Sequence, residues 1–561
     1  MSAQKQRRVL VTAALPYSNN RLHVGHVAGA YLGPDIWVRY LRMTGADVTF
    51  VSGSDDHGVA IMISAAKEGK TPAELAKFYH ASQQSSFRAL GITFDVYGST
   101  SQNKFHAETS QRFFTQMFEK GFFEKKSSRQ FYDENRKQFL PDRFVKGTCG
   151  YCNTPDQSGD QCEQCGKMLD VDTLHNARST LSETPATIRD TVHWFLDLSR
   201  CEGVVRDWLA TANVRDFTRT YVEGLISTGL VKRSMTRDID WGIPVPLADP
   251  DAKGKVLYVW FDAPIGYISN TMQLAESKGL PPSAGEALWK DEDVEIFHFI
   301  GEDNTIFHCV IWIAMLSALG TYRLPKGVIV NQYLNFQRPG SDVEKMSKSR
   351  GTAVFIDDYL AEGGTVDGLR YYLTMVAPER ARSVFNPEDL IQRYNSELAN
   401  VLGNFVNRVI SFTYKNIAPA VPAPHPASYD QFDQEFAALR PTVAARVGEH
   451  LERCEFRAAL EAVMEFARAC NKYIDDKKPW ATRKTNLEVT GTTLFEGLQA
   501  IALLGVLLMP FLPETGRKIL AMLSIDPASV RWDDGVRGVP VGQTLKEPVI
   551  LFAKIEKAPT E

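Results

Sequence analysis

Long hydrophobic runs, repeats, low-complexity tracts and an excess of either charge are all missing from this 561-residue chain. The longest apolar stretch, residues 500–512, contains Gly505 and Pro510 and falls short of the ~18 residues a membrane span requires. A buried helix ending near Pro510 is the simpler expectation, with no membrane involved. The first eight residues are polar and basic and run straight into Val9-Leu10-Val11, leaving no room for a signal peptide. Cysteine is scarce, eight in all, and half of it is clustered. That excludes a disulfide framework and points to a reducing compartment, the cytoplasm, and to a metal site. With 63 basic and 67 acidic residues the net charge is −4, so any nucleic acid must be bound by a local basic surface rather than by bulk charge. What is present is ordinary for a folded protein: 44% hydrophobic and 23% charged residues, enough for three or four domains at ~150 residues each.

The chain opens as strand, turn, helix, strand. Residues 8–14 are apolar and β-branched, Leu15 to Asn20 is turn chemistry, and a helical pattern runs to Met43 with Val24, Val27, Tyr31, Ile36, Trp37, Tyr40 and Leu41 inward. Gly33-Pro34 is expected to bend or interrupt that helix. A second strand over residues 47–52 ends at Gly53-Ser54-Asp55-Asp56-His57-Gly58. This is the βαβ pattern of a parallel sheet, in which ligands bind beyond the carboxyl ends of the strands. The alternation breaks over about 119–236, which reads as an insertion, and resumes with strands at 256–261, 295–300 and 328–331. Beyond Pro387 apolar residues recur at helical spacing, which predicts a helical bundle. Residues 548–555 read as extended.

Four further groups of residues carry chemistry. His23-Val24-Gly25-His26 follows the first strand at a helix start, where free N–H groups, the helix dipole and two imidazoles suit a polyphosphate, and Gly25 permits close approach. Far downstream, Lys345-Met346-Ser347-Lys348-Ser349 forms a cationic loop suited to a phosphate whose charge grows during reaction. Cys149-x-x-Cys152, nine residues, then Cys162-x-x-Cys165 is a strong pattern for a tetrahedral, structural Zn2+. Asn404 and Arg408 share one helical face, and Trp480 closes another helix; such side chains hydrogen-bond and stack on unpaired bases.

The two phosphate motifs together resemble class I aminoacyl-tRNA synthetases. Their neighbours Ala14-Leu15-Pro16-Tyr17, Trp260 to Tyr267 and Phe299 to Asp303 resemble the methionyl-tRNA synthetase family over nearly the whole chain. The resemblance implies an α/β fold: a Rossmann-type parallel sheet split by an insertion with a zinc knuckle, followed by an α-helical bundle that binds the anticodon. It divides the chain into a catalytic first half (1–118), the insertion (119–236), a catalytic second half (237–339), the K-M-S-K-S and stem-contact region (340–390), the anticodon domain (391–545) and a tail (546–561). It implies that L-methionine is activated by ATP with Mg2+ and transferred to the 3′-terminal adenosine of tRNA(Met), initiator tRNA included.

By the same resemblance His23 and His26 stabilise the phosphates, and Lys345 and Lys348 hold the leaving pyrophosphate, Lys348 with the larger effect. Leu15, Tyr17, Trp260, Ala263, Pro264, Tyr267 and His308 form the methionine pocket, with Asp55 on the ammonium and with Tyr17 and His308 offering polar hydrogens to sulfur. Asp303 binds ribose, Gly301 admits adenine, Arg237 acts near the nucleotide or carboxylate, and Asn404, Arg408 and Trp480 read the CAU anticodon. Asn304 departs from the aliphatic residue usual at its place. A monomer is expected, because no oligonucleotide-binding domain follows the helical region. Two alternatives remain open: another synthetase or nucleotidylyltransferase of the same sheet type, and a non-catalytic tRNA carrier.

Overall fold

The computed structural model describes residues 6–556 except 142–143, 160–161, 163, 166–168, 339 and 347–350. Strands β1 (Arg8–Ala13), β2 (Asp47–Ser54), β3 (Val96–Ser99), β4 (Asn213–Val214), β5 (Val294–Gly301) and β6 (Gly327–Asn331) form one sheet in the order β4-β6-β5-β1-β2-β3. Every pairing in it is parallel, with Leu10 of β1 opposite Ile296 of β5 and Thr49 of β2. β1 is an interior strand whose residues 9–13 are buried, which is why it reads as a continuous apolar run rather than an alternation. Chain order reverses between β1 and β5, so a crevice opens beyond their carboxyl ends, at Leu15 and at Gly301.

The helix after β1 is not broken at Gly33-Pro34. Pro34 has no N–H to give the preceding turn, and the helix widens into a π-helical turn over Val27–Tyr31 before continuing as Leu32–Met43. Asn331 Nδ2 donates to the Ala28 carbonyl at 3.0 Å within the widened stretch. All seven inward positions of this segment are buried.

Residues 256–261 are not the strand expected. Only Val256–Leu257 pairs, with Thr236–Arg237 outside the main sheet, and Val259–Asp262 is a helical turn. Residues 213–214, inside the interval read as insertion, form β4 and so belong to the edge of the catalytic sheet. The rest of that interval is built on the antiparallel pair Phe123–Asp133 and Thr187–Leu196. It carries a small core of its own, in which Cys149 and Cys162 pack with Phe131, Phe144, Val145 and Leu174. Val59, Met62 and Ile63, on the helix that follows Gly58, pack against that core and tie it to the catalytic sheet.

The C-terminal third is helical. Gln431–Glu452, Phe456–Lys477 and Leu487–Leu508 are its long members. Leu487–Leu508 is long and apolar enough to cross a membrane by composition, but 94% of its most apolar window is buried inside the protein. Residues 548–555 pair with no strand; Ile555 instead exchanges two hydrogen bonds with the Asn395 side chain. Arg370 joins the layers. It is fully buried and donates to Asp35 at 2.7 Å and to the carbonyls of Pro510, Phe511 and Leu90.

Candidate active site

Ala13 ends β1, and the chain turns through Leu15, Pro16 and Tyr17 before His23 caps the next helix. The Gly25 N–H donates to His23 Nδ1 at 3.1 Å, and the His23 N–H donates to His26 Nδ1 at 3.2 Å. An imidazole nitrogen that accepts carries no proton, so both neutral rings hold their hydrogen on Nε2. The rings stack with centroids 3.7 Å apart. Burial keeps them uncharged: it lowers His26 to about 4, and burial together with the neighbouring His26 lowers His23 well below its ordinary range. The result is a pair of aligned neutral N–H donors at a helix N-terminus.

The lysine-bearing segment lies against this pair. The Val24 N–H donates to the Val354 carbonyl at 2.9 Å and the Ile356 N–H to the Leu22 carbonyl at 3.1 Å. A Cβ on Gly25 would stand 3.2 Å from Met346 Sδ and 2.9 Å from the His23 ring, so glycine is what lets the two motifs meet. Lys345 lies 4.9 Å over the Tyr333 ring. Lys348 lies outside the described residues. A cleft of about 320 Å³ runs between the motifs, lined by Leu15, Tyr17, His23, Gly25, His26, Trp260, Gly301, Asp303, Asn304 and Lys345 among others. Arg237 faces a neighbouring cleft of about 370 Å³ that shares Tyr17, Trp260 and Asp303 with the first. Its guanidinium stacks 3.8 Å over Tyr258 and donates to the Ser234 and Thr236 carbonyls.

Asp55, Ala263, Pro264, Tyr267 and His308 are buried behind the open cleft. Tyr17 bridges to Asp55 in parallel fashion, and Leu15 packs against Gly266. Trp260 meets Tyr17 edge-on at 5.9 Å and stacks on Phe307 at 3.9 Å. Asp55 Oδ1 has no hydrogen-bond partner among the described residues. Burial first, then the charges of Asp262 and Asp56, push its carboxyl well above the usual range. A buried carboxyl with an unanswered oxygen suits an arriving ammonium. Behind it, His57 Nδ1 lies 2.6 Å from Asp262 Oδ2, and His106 Nε2 lies 3.5 Å from the same oxygen. Burial opposes both charges of the His57–Asp262 pair, but their mutual attraction wins, raising His57 and lowering Asp262.

His308 differs from expectation. Its Nδ1 faces the Asn304 carbonyl at 3.2 Å and its Nε2 faces Tyr267 Oη at 2.9 Å. A carbonyl only accepts, so Nδ1 carries the proton, and Nε2 accepts from Tyr267. His308 therefore has no polar hydrogen left for sulfur. Phe307 and Tyr333 were not singled out from the sequence; single aromatics inside apolar runs give no signal of their own. The π-helical turn Phe307–Ile311, which sets the register of His308, likewise has no clear sequence mark.

The four clustered cysteines lie within 4.8 Å of one another through their sulfurs, with Cys149–Cys165 at 3.8 Å and Cys152–Cys162 at 3.6 Å. A Zn–S bond of ~2.3 Å in a tetrahedron gives an S–S edge of ~3.8 Å, so the donor set fits zinc. Far along the chain, Arg408 pairs with Asp475 at 2.7 Å and stacks 4.7 Å over Trp480. Asn404 is exposed one turn before it. Trp480 is not on the preceding helix: Lys478 in a left-handed conformation and Pro479 turn the chain, and Trp480 sits in the short turn Pro479–Thr482, half exposed.

A parallel sheet whose switch point sets paired imidazoles against a lysine-bearing loop is the architecture of a class I aminoacyl-tRNA synthetase. Residues 9–410 match the family described as tRNA synthetases class I (M), and residues 423–561 match the anticodon binding domain of methionyl tRNA ligase. The chain is 42% identical over 558 residues to a methionine–tRNA ligase of Porphyromonas gingivalis, covering 98% of this chain and 79% of that one. It is 42% identical over 560 residues to one of Bacteroides fragilis, covering 99% and 80%. Among solved structures it is similar to the methionyl-tRNA synthetase of Mycobacterium tuberculosis bound by methionyl-adenylate, with a TM-score of 0.80 at 27% identity over 98% of this chain and 100% of that one. The free state of that enzyme gives 0.75 at 25% identity over 99% and 100%. The chain belongs to the methionine–tRNA ligase family, and its reaction is two-step aminoacylation.

Proposed function

We propose that the cleft between the two motifs holds ATP and the layer behind it holds L-methionine, with the residue roles that follow. The methionine ammonium pairs with Asp55, and its side chain enters among Leu15, Tyr17, Trp260, Ala263, Pro264, Tyr267 and His308. A carboxylate oxygen attacks the α-phosphorus in line, the bond to the bridging oxygen breaks, and pyrophosphate leaves. His23 and His26 donate their Nε2 hydrogens to phosphate oxygens as charge builds there. Lys345 and Lys348 follow the departing pyrophosphate, which Mg2+ accompanies. Gly301 and Asp303 receive the adenosine, and Arg237 approaches from the neighbouring cleft. The terminal ribose hydroxyl of tRNA(Met), initiator included, then attacks the acyl carbon and AMP leaves. Because no side chain becomes covalently bound, positioning and charge stabilisation supply the rate.

Cys149, Cys152, Cys162 and Cys165 would hold one structural Zn2+, which would cross-link the insertion. Asn404, Arg408 and Trp480 would read the anticodon. The division of the chain at 118, 236, 339, 390 and 545, with residues 213–214 of the insertion assigned to the catalytic sheet, a monomeric state and a cytoplasmic location complete the reading. The observation that supports it most is the contact of Gly25 with Met346 beside the stacked histidines. ATP–pyrophosphate exchange with each of the twenty amino acids tests it. Methionine alone should support strong exchange, and Lys348→Ala should reduce it; exchange with leucine or cysteine but not methionine, or an unimpaired Lys348→Ala variant, overturns it.

A further inference from the structure

The charged run Asp475-Asp476-Lys477-Lys478 leads into Pro479 and Trp480, and one member of it turns inward. Asp475, Asp476 and Lys478 are exposed, whereas the Lys477 side chain is only 8% exposed. Lys477 ends the helix Phe456–Lys477 and reaches across to the start of Gln431–Glu452, where its Nζ donates to Asp430 Oδ2 and to Asp433 Oδ2, each at 2.8 Å. Both carboxylates are themselves fixed. Asp430 and Asp433 cap their helix reciprocally, each accepting the other's backbone N–H at 3.0 Å. Asp433 is fully buried and also accepts from Tyr473 Oη at 2.7 Å, and the Tyr473 ring stacks on Phe436 at 4.0 Å. Immediately beyond Lys477 the backbone is strained: Lys478 stands at φ 46°, a left-handed conformation that a residue with a side chain adopts at a cost. Pro479 then starts the short turn that carries Trp480.

We infer that Lys477 is a positioning residue for anticodon recognition: by pinning the end of its helix to Asp430 and Asp433 it fixes where the chain reverses, and so presents the Trp480 indole in one place for an unpaired base to stack on. This rests on the reading that Trp480 meets the anticodon. Lys477 does not touch RNA on this account, because the two carboxylates hold its ammonium inside the bundle. A ring already in place loses little freedom when a base stacks on it. A ring on an unanchored turn must be ordered at that moment, which weakens binding. The left-handed Lys478 makes the anchor necessary, since a strained residue keeps its conformation only where its surroundings over-determine it. The Arg408–Asp475 pair beside the indole is more exposed and is the weaker constraint.

The test is charging of a tRNA(Met) transcript, with ATP–pyrophosphate exchange alongside, for wild type, Lys477→Met, Lys477→Arg, Trp480→Ala and the double variant Lys477→Met/Trp480→Ala. Lys477→Met should lower kcat/KM for tRNA about fivefold, the lower edge of what one base stack is worth. The loss should lie in KM for tRNA rather than kcat, exchange should be unchanged, and Lys477→Arg, which keeps the cation, should recover most of it. Once Trp480 is alanine, Lys477→Met should have no further effect on charging. Among three transcripts, each with one abasic anticodon nucleotide, one should likewise erase the difference between wild type and Lys477→Met. Lys477→Met leaves Asp433 buried without its counter-charge and endangers folding; Lys477→Met/Asp433→Asn removes both charges and should show the same loss. Normal charging by both of these variants, a loss that adds in full to that of Trp480→Ala, or a difference that persists on all three abasic transcripts shows that the cluster only stabilises the bundle and overturns the inference while the anticodon assignment stands. A Trp480→Ala enzyme that charges tRNA like the wild type sinks that assignment and the inference with it.

Discussion

If Asp55 holds the substrate ammonium, methionine binding must expel a proton, and the expulsion can be counted. Asp55 is buried, one of its oxygens lacks a partner, and the carboxylates of Asp262 and Asp56 stand beside it. The Asp262 charge is itself held in place by His57 and His106. Only the His57 backbone N–H favours the ionised form of Asp55. The free enzyme therefore keeps Asp55 protonated at pH values where an exposed aspartate has long ionised, whereas the ammonium complex requires the carboxylate. Below the raised pKa, KM for methionine should fall tenfold for each pH unit gained, which is about 1.4 kcal/mol per unit of proton linkage, and above it the curve should level.

The stability sign follows from the same shift. The folded free enzyme binds a proton that the unfolded chain has lost, so this contribution is present on the acid side and disappears as pH rises through the folded pKa. The stabilisation conferred by methionine should accordingly grow with pH over that window. Calorimetric titration with methionine in buffers of differing ionisation enthalpy should report release of one proton below the corner. Asp55→Asn should abolish the slope and weaken binding by about 3–5 kcal/mol, the scale for removing one partner of a buried charge pair. Asp262→Asn, which deletes the largest neighbouring negative charge, should move the corner toward acid and leave the slope. A KM profile that levels where an exposed aspartate ionises, or a slope that survives in Asp55→Asn, would refute the reasoning.

Trp480→Ala should leave methionine-dependent exchange intact and lower kcat/KM for tRNA by the ~1–3 kcal/mol of one lost base stack; equal losses in both assays would remove the anticodon assignment. Stripping zinc with a chelator should lower Tm and activity together, because the small core around Cys149 and Cys162 has few other apolar members; an active, metal-free enzyme of unchanged Tm would contradict this. Arg370→Ala should destabilise the fold by about 3–5 kcal/mol, since Asp35 would lose a partner and three carbonyls a buried donor; denaturant unfolding reads this directly, and a change under 1 kcal/mol would show that water replaces the guanidinium.

Much of the catalytic frame could be read from sequence because its signals are local. β1, the turn after it and the histidine-capped helix are continuous in the chain, and their apolar spacing and turn residues speak for themselves. The cysteine spacing carries the clustering of the four sulfurs in the same way. What could not be read depends on the tertiary partner. Residues 256–261 have a strand-like composition, yet after Leu257 the chain turns into a helix that delivers Trp260 to the cleft and Asp262 to His57. Asn213–Val214 is too short to carry a period, and its membership of the sheet is decided by Gly327, whose missing side chain lets the Asn213 carbonyl approach. The tautomer of His308 is set by the Asn304 carbonyl one turn away, which no spacing rule reveals.

One physical condition unites the imidazole pair, the aspartate and the buried histidines His298 and His308. Before substrate arrives, burial favours the neutral forms of His23, His26, His298, His308 and Asp55. Charging any of them in the empty site would incur a desolvation cost with no counter-charge to offset it. Their hydrogen-bonding ends are nonetheless already fixed: Gly25 and His23 backbone hydrogens pin the two Nδ1 atoms, and Asn304 pins His308. Orientation is thus settled in advance, and on the proposed reading charge would enter with the ligands, as an ammonium opposite Asp55 and polyphosphate oxygens opposite the Nε2 donors. A protonated pair of histidines would grip ATP more tightly in the ground state as well as in the transition state, which lowers KM without raising kcat. Neutral donors avoid that, and they gain most as negative charge accumulates on the phosphate during attack. On the proposed reading, the stacked neutral pair His23 and His26 would favour the step over the complex that precedes it.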